Sequence, residues 1–266
     1  MSDHTTGGRM PVLFIGHGSP MNIIQDNPYT QSLEVLAASL PRPSSVLVVS
    51  AHWLTRGTFV TVSDRPRQIY DFGGFPDELY EIRYQPAGAP EEARRLAESA
   101  GPGAIRPDAG EQEWGLDHAS WAVLRHMYPK ADVPVWELSL DMGRPLAEHL
   151  AIARALAPLR DRGVLVLGSG NLVHNLRLID FRDDAAAFPW AVEADAWFRD
   201  SLVAGDVTGL LDYRNAGSAV ARAVPTPDHY LPMLYALGLR EAGEKLDFTF
   251  EGIQNGSISM RGFRIG

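Results

Sequence analysis

Pro11-Val-Leu-Phe-Ile-Gly-His-Gly-Ser-Pro20 is an apolar run that stops abruptly at Gly16-His17-Gly18. Val12, Leu13, Phe14 and Ile15, bounded by a proline and glycines, have the length of a buried strand, and the glycines let the backbone turn where it ends. His17 is therefore expected at the C-terminal mouth of a strand. In open α/β sheets that edge is where ligands bind, so a histidine there is a candidate for chemistry. An imidazole serves equally well as a local hydrogen-bonding group, and one residue does not choose between the two.

Working outward from this stretch, the same construction returns. Ser45-Val-Leu-Val-Val-Ser-Ala51 reads as a second buried strand and is followed directly by His52-Trp53. Gly163-Val-Leu-Val-Leu-Gly168 reads as another and runs into Ser169-Gly-Asn-Leu-Val-His174-Asn175. Further strands are expected over residues 58–63 and 133–140, and helices over 28–40, 91–100, 145–159, 191–202 and 207–213. Asp117 is placed to cap a helix that carries Trp121, Leu124 and Met127 inward, with His118 in its first turn. His229 falls near the start of an apolar helix that ends at Gly238, and residues 247–251 and 257–264 read as two short strands paired at a sheet edge. This alternation predicts an α/β fold: a single domain with a central, mostly parallel sheet flanked by helices and a short antiparallel C-terminal strand pair. Residues 1–10 are expected to be a flexible tail containing His4, and residues 11–266 one catalytic domain.

Composition narrows the chemistry. The net charge of −9, with no Lys/Arg cluster, argues against nucleic acid and anionic membranes as partners, since both require a basic footprint. There is no cysteine, which removes disulfides, thiolate catalysis and thiolate metal sites together. A transition metal would be held by imidazole and carboxylate, a donor set that suits Fe(II), Zn or Mn. The first ten residues lack the apolar core of a signal peptide and no apolar run approaches a membrane span, so a soluble, cytoplasmic protein is expected.

Eight histidines divide by context. His4 is in the tail, and His126 and His149 sit on charge-rich helices where surface positions are expected. His17, His52, His118, His174 and His229 occupy strand ends or helix starts. In a parallel sheet His17, His52 and His174 reach one edge, and several imidazoles at one mouth of a cysteine-free protein form a metal-site signature. Contiguous HExxH spacing is absent, so the site must be assembled from distant segments. Asp117 and Asp228, which immediately precede histidines, are expected to cap helices. The aromatic loop Ile69-Tyr-Asp-Phe-Gly-Gly-Phe-Pro-Asp-Glu-Leu-Tyr80 is expected to pack over something as a lid or pocket wall. No P-loop, GxGxxG or GxSxG is present, leaving nucleotide binding and serine hydrolysis without support.

Gly16-His-Gly-Ser-Pro-Met21, Ser50-Ala-His-Trp53, Tyr70-Asp-Phe-Gly-Gly-Phe-Pro76, Gly115-Leu-Asp-His118, Gly168-Ser-Gly-Asn-Leu-Val-His-Asn175 and Pro227-Asp-His-Tyr-Leu-Pro232 together resemble the class III extradiol ring-opening dioxygenases. The closer likeness is to the 4,5-DOPA extradiol branch. The resemblance implies a single α/β domain with one non-haem metal at the mouth of its sheet, Fe(II) for activity, with Zn(II) able to occupy the site in purified protein. It maps the metal ligands to His17 and His52, and to His229 where the wider family uses a glutamate. His174 falls on the acid-base histidine and is a possible fourth ligand, and His118 on a substrate-side histidine. Tyr70, Phe72, Phe75 and Trp114 are expected to stack on or enclose the ring of a small catechol, DOPA-like or related, which O2 opens. Arg65, Arg67, Arg177 and Arg222 are all conceivable anchors for a substrate carboxylate. The competing readings are a zinc-dependent hydrolase or amidase on the same histidines, and a non-catalytic metal-binding relative.

Overall fold

A computed structural model describes residues 9–110, 112–182 and 184–266. The strands are β1 (Val12–Gly16), β2 (Ser45–Thr55), β3 (Phe59–Thr61), β4 (Arg106–Asp108), β5 (Val135–Asp141), β6 (Val164–Gly170), β7 (Leu246–Phe250), β8 (Ile253–Gln254), β9 (Ile258–Ser259) and β10 (Gly262–Ile265). The helices are α1 (Pro28–Ser39), α2 (Glu78–Glu81), α3 (Pro90–Ser99), α4 (His118–Met127), α5 (Leu146–Ala155), α6 (Ala157–Asp161), α7 (Pro189–Ala204), α8 (Val207–Leu211), α9 (Ser218–Ala223) and α10 (Leu231–Gly238). Eight strands form one sheet in the order β4-β3-β5-β2-β6-β1-β10-β7. Its centre, β5-β2-β6-β1, is parallel throughout, while β10 runs antiparallel to both β1 and β7. The architecture is a single α/β domain around a mostly parallel sheet.

The near-continuous apolar composition of the central strands follows from burial on both faces. Alternation along β1 and β2 sends Val12, Phe14, Leu47 and Val49 to a core shared with α5, α7 and α10. Leu13, Ile15, Val46 and Val48 enter the opposite core with Leu33 and Leu36 of α1 and Trp121 and Leu124 of α4. Since β1, β2 and β6 are adjacent and parallel, their C-terminal ends share one edge, with Gly16 opposite Gly170 and Ser50 opposite Ser169.

Several expectations are corrected. The strand expected to end at Ala51 continues to Thr55, so His52 lies within β2, in a stretch where the register against β5 shifts between Val49 and Leu54. The helix expected over 145–159 breaks into α5 and α6, because Pro158 lacks the N–H that a continuous helix needs. Edge strand β4 went unrecognised; Pro107 in its middle is tolerated only at an edge. In the closing pair, β7 is the edge and β10 sits one place inside it. Ile258–Ser259 leaves the sheet to pair with β8 instead. The chain is already anchored at Arg9, which pairs with Asp161 at 3.3 Å and with Glu241, and at Met10, whose N–H donates to Arg160 O at 3.1 Å. Residues 1–8, His4 included, lie outside the described residues. His149 is fully buried against the Tyr235 hydroxyl at 3.1 Å, not at the surface, and His126 is half-buried on Asn22 O at 2.8 Å. Among the described residues no helix is long and apolar enough to cross a membrane.

Candidate metal centre

The sheet edge carries a cavity of about 1250 Å³ whose wall includes His17, His52, His118, His174 and His229. Each arrives by a different route. His17 follows β1, its N–H donating to Gly170 O at 3.1 Å, and Gly18 turns the chain away with φ of 67°. His118 opens α4, where Asp117 is the N-cap and accepts from Ala119 N at 2.9 Å, as its position predicts. His229 is drawn against the end of β6, where Asn171 N donates to its carbonyl at 2.8 Å. Gly170 permits that approach, since a Cβ there would lie 2.2 Å from His229 O. His174 N donates to Ala223 O at 2.9 Å, and its ring stacks on that of His229 with centroids 3.5 Å apart.

One ring nitrogen from each of His17, His52 and His229 lies within 4.8 Å of the other two. Their second nitrogens are all engaged. His17 Nδ1 is 3.1 Å from Ser169 Oγ, and that hydroxyl spends its single proton on Ala119 O at 2.6 Å. Ser169 must therefore accept from His17 Nδ1–H, which leaves the His17 Nε2 lone pair free. Asp71 Oδ2 holds His52 Nδ1 at 2.9 Å, and Asp228 Oδ2 holds His229 Nδ1 at 2.5 Å. Carboxylate or hydroxyl on the outer nitrogen and a free inner one is the pattern of metal-ligating histidines. Nε2 of His17 and Nε2 of His52 are 3.3 Å apart, a distance at which two lone pairs repel unless a proton or cation lies between them. The donor set fits a divalent first-row ion.

Electrostatics agree with this arrangement. Burial, then the neighbouring imidazoles, hold His17 far below the ordinary histidine range. Burial lowers His229 to about 4, with Asp228 opposing it in part. His174 falls to about 2, through burial and then the charge of His229. His118 is also lowered, by burial and by His52 against the pull of Asp71. At His52 burial is the largest single influence and would lower it, but Asp71, Asp117 and Asp228 together outweigh it and raise it. Four of the five imidazoles are thus biased toward the neutral, metal-binding form.

The remaining expected site residues divide. Phe72 and Phe75 line the cavity, and Phe72 meets the His118 ring edge-on at 5.4 Å. Tyr70 is not part of that wall; its hydroxyl donates to Ile82 O at 2.6 Å and its ring backs onto Phe72 and Trp121. Trp114 is also outside the cavity. It stacks on Trp53, and its indole N–H is directed at Glu137 Oε2 at 3.0 Å and Asp117 Oδ2 at 3.3 Å, so it cannot enclose a ring at the histidines. His174 groups with Asp228 and His229 and not with the His17–His52–His229 trio. None of Arg65, Arg67, Arg177 and Arg222 lines the cavity.

Two carboxylates were undervalued in the sequence. Asp71, read there as packing or lid, joins His52 Nδ1 and His118 Nδ1, each at 2.9 Å, and its Oδ1 accepts from His118 N at 2.9 Å. Asp228, expected to cap a helix, orients His229 instead, and Tyr230 occupies the cap position of α10. A lone acid among aromatic rings and an acid directly preceding a histidine were the available signals.

Residues 11–259 match the family model described as the catalytic LigB subunit of aromatic ring-opening dioxygenase. The chain belongs to this family. It is therefore an extradiol, ring-cleaving oxidoreductase of the LigB type, a class that uses a metal cofactor, a small aromatic substrate and O2. Among relatives, 4,5-DOPA dioxygenase extradiol of Escherichia coli (strain K12) is 45% identical over 97% of this chain and 95% of its own length. The 4,5-DOPA dioxygenase extradiol of Beta vulgaris is 34% identical over 94% of each chain. The crystal structure of an uncharacterized protein from Escherichia coli K12 superposes with a TM-score of 0.84 at 41% identity, covering 97% of this LigB-family chain and 100% of the other.

Proposed function

We propose that this enzyme is an Fe(II)-dependent extradiol dioxygenase that opens the ring of a DOPA-like catechol, with His17, His52 and His229 holding the ion. The observation that carries the reading is the trio of free imidazole nitrogens, each with its outer nitrogen held by Ser169, Asp71 or Asp228. Bound there, Fe(II) would supply Lewis acidity that makes the diol easy to ionise, and the redox chemistry that O2 requires. Both oxygen atoms enter the product, a ring-opened semialdehyde, and no other co-substrate is consumed.

The protein's own part is positioning and proton traffic. Phe72 and Phe75 form the apolar wall against which the ring packs. His174, on the cavity wall and stacked on His229, takes the proton that the diol gives up on binding and returns one when the ring opens. His118, its Nδ1 at Asp71, offers its other nitrogen to a hydroxyl of the diol as a hydrogen-bond acceptor. The reading is tested by oxygen uptake and product absorbance with iron-loaded protein and a panel of catechols under reducing conditions. One O2 consumed per catechol is expected. Inactivity across the panel at verified iron content, with ester or amide turnover by the zinc form, would replace it with a hydrolase.

A further inference from the structure

The cavity of about 1250 Å³ exceeds the roughly 300–1,000 Å³ of common small-molecule pockets, so a ring held at the histidine end leaves much of it for a substituent. The charge that meets this substituent is one-sided. Among the described residues the wall contains no lysine or arginine, and its two carboxylates are Asp71, committed to His52 and His118, and Asp26. None of the four arginines that the sequence offered as carboxylate anchors is among the wall residues. Arg65 and Arg67 line a separate hollow beside Trp114, and Arg222 lies over the Trp190 ring.

Asp26 is held in place. It precedes Asn27, the N-cap of α1, in a capping box: Asn27 Oδ1 accepts from Thr30 N and Thr30 Oγ1 accepts from Asn27 N, both at 3.0 Å. Gln31 Nε2 donates to Asp26 Oδ1 at 2.8 Å, and Oδ2 has no side-chain partner among the described residues. The same segment is tied to the metal end, since Asn27 Nδ2 donates to Asn22 Oδ1 at 3.1 Å and Asn22 Nδ2 to His17 O at 3.5 Å. A carboxylate fixed in this way is a preorganised acceptor for a cation.

We infer that the site selects catechols whose side chain ends in a protonated amine, with Asp26 as the specificity-determining residue, and discriminates against those whose only side-chain charge is a carboxylate. The inference rests on the ring-cleaving reading above. An anionic substituent entering this wall loses hydration without gaining a counter-ion, which works as a repulsive selection element. An ammonium gains Asp26 Oδ2. Because Asp26 is solvent-exposed, that pair contributes only about threefold to fivefold.

The test is anaerobic titration of iron-loaded protein with a matched set: 3,4-dihydroxyphenethylamine, 4-ethylcatechol and 3-(3,4-dihydroxyphenyl)propanoate. The amine should bind tightest and the propanoate weakest, with roughly tenfold between them once desolvation of the anion is added. Asp26→Asn should remove the amine's advantage over 4-ethylcatechol while leaving 4-ethylcatechol itself unmoved, and Asp26→Lys should bring the propanoate ahead of the amine. A propanoate that binds the wild type as tightly as the amine, or an order that survives Asp26→Asn unchanged, overturns the inference. Oxygen uptake is measured separately on the same three compounds. Its absence would strike the ring-cleaving reading, while the affinity order would still decide on Asp26.

Discussion

At the scale of single residues, the site is controlled by what touches the outer nitrogens. In the proposed site Asp228 is hydrogen-bonded to His229 Nδ1 and Asp71 Oδ2 lies 2.9 Å from His52 Nδ1, contacts that would hold the two rings with their other nitrogens inward. Asp71→Asn and Asp228→Asn should each weaken metal affinity by about 10–100-fold with the fold intact. Metal titration alongside circular dichroism checks this, and unchanged affinity in both variants would remove these carboxylates from the account. His149 offers a pH prediction away from the metal. Burial lowers it to about 4, against 6.5 for an ordinary histidine. Its folded form resists protonation, so the unfolded chain takes up the proton first as pH falls. The contribution to stability is complete above about 6.5 and is lost between 6.5 and 4. At pH 4.5 the loss is on the order of 2 to 3 kcal/mol by linkage. The stability difference between wild type and His149→Phe should shift against the wild type by that amount from pH 7 to pH 4.5, measured by urea unfolding.

At the scale of elements, β5 and α4 meet through a buried carboxyl pair. Glu137, in mid-strand and fully buried, accepts from Asp117 N at 3.0 Å, from Trp114 Nε1 at 3.0 Å and from the Ser120 hydroxyl, while Asp117 Oδ2 accepts from Ser50 Oγ at 2.6 Å. Burial, then Asp117, pushes Glu137 well above the usual carboxylate range, and burial, then Asp71, raises Asp117. A carboxyl whose folded pKa is raised contributes fully below the unfolded value of 4.5 and loses that contribution as pH rises. Glu137→Gln should therefore gain stability relative to wild type between pH 5 and pH 8. Glu137→Leu should lose about 2 to 3 kcal/mol, because the amide of Asp117, the indole of Trp114 and the hydroxyl of Ser120 are left without their acceptor. Chemical denaturation across that pH range distinguishes the two. The signal for this network stood in the sequence as a glutamate interrupting the apolar run at 133–140. Periodicity assigns such a residue to a strand without saying what it meets, since its partners lie 17 to 23 positions away.

At the scale of the whole molecule, the order of strands accounts for what was legible. Val12–Ile15, Val46–Val49 and Val164–Leu167 announce themselves because strands buried on both faces are apolar throughout, and a parallel arrangement then sends their ends to one edge. His17, His52 and His174 could be gathered on that logic, whereas His118 and His229, which precede or open helices, could not. Tyr70 and Trp114 could not be sorted from Phe72 and Phe75, because a ring facing a cavity and a ring one layer behind it have the same local sequence signature. With the ion held as proposed, the shared edge would also couple metal occupancy to stability. The trio draws on the ends of β1 and α10 and on β2, so an ion there bridges segments more than 200 residues apart and binds only the folded chain. An ion at 100 times its dissociation constant stabilises the native state by about 2.7 kcal/mol, which for a chain of this size raises Tm by roughly 5 to 10 °C. The metal-loaded wild type should show that increase and lose it to a chelator. His17→Ala, which retains the sheet but not the trio, should melt at one temperature with or without metal, and a metal-dependent Tm in that variant would mean the ion is held elsewhere.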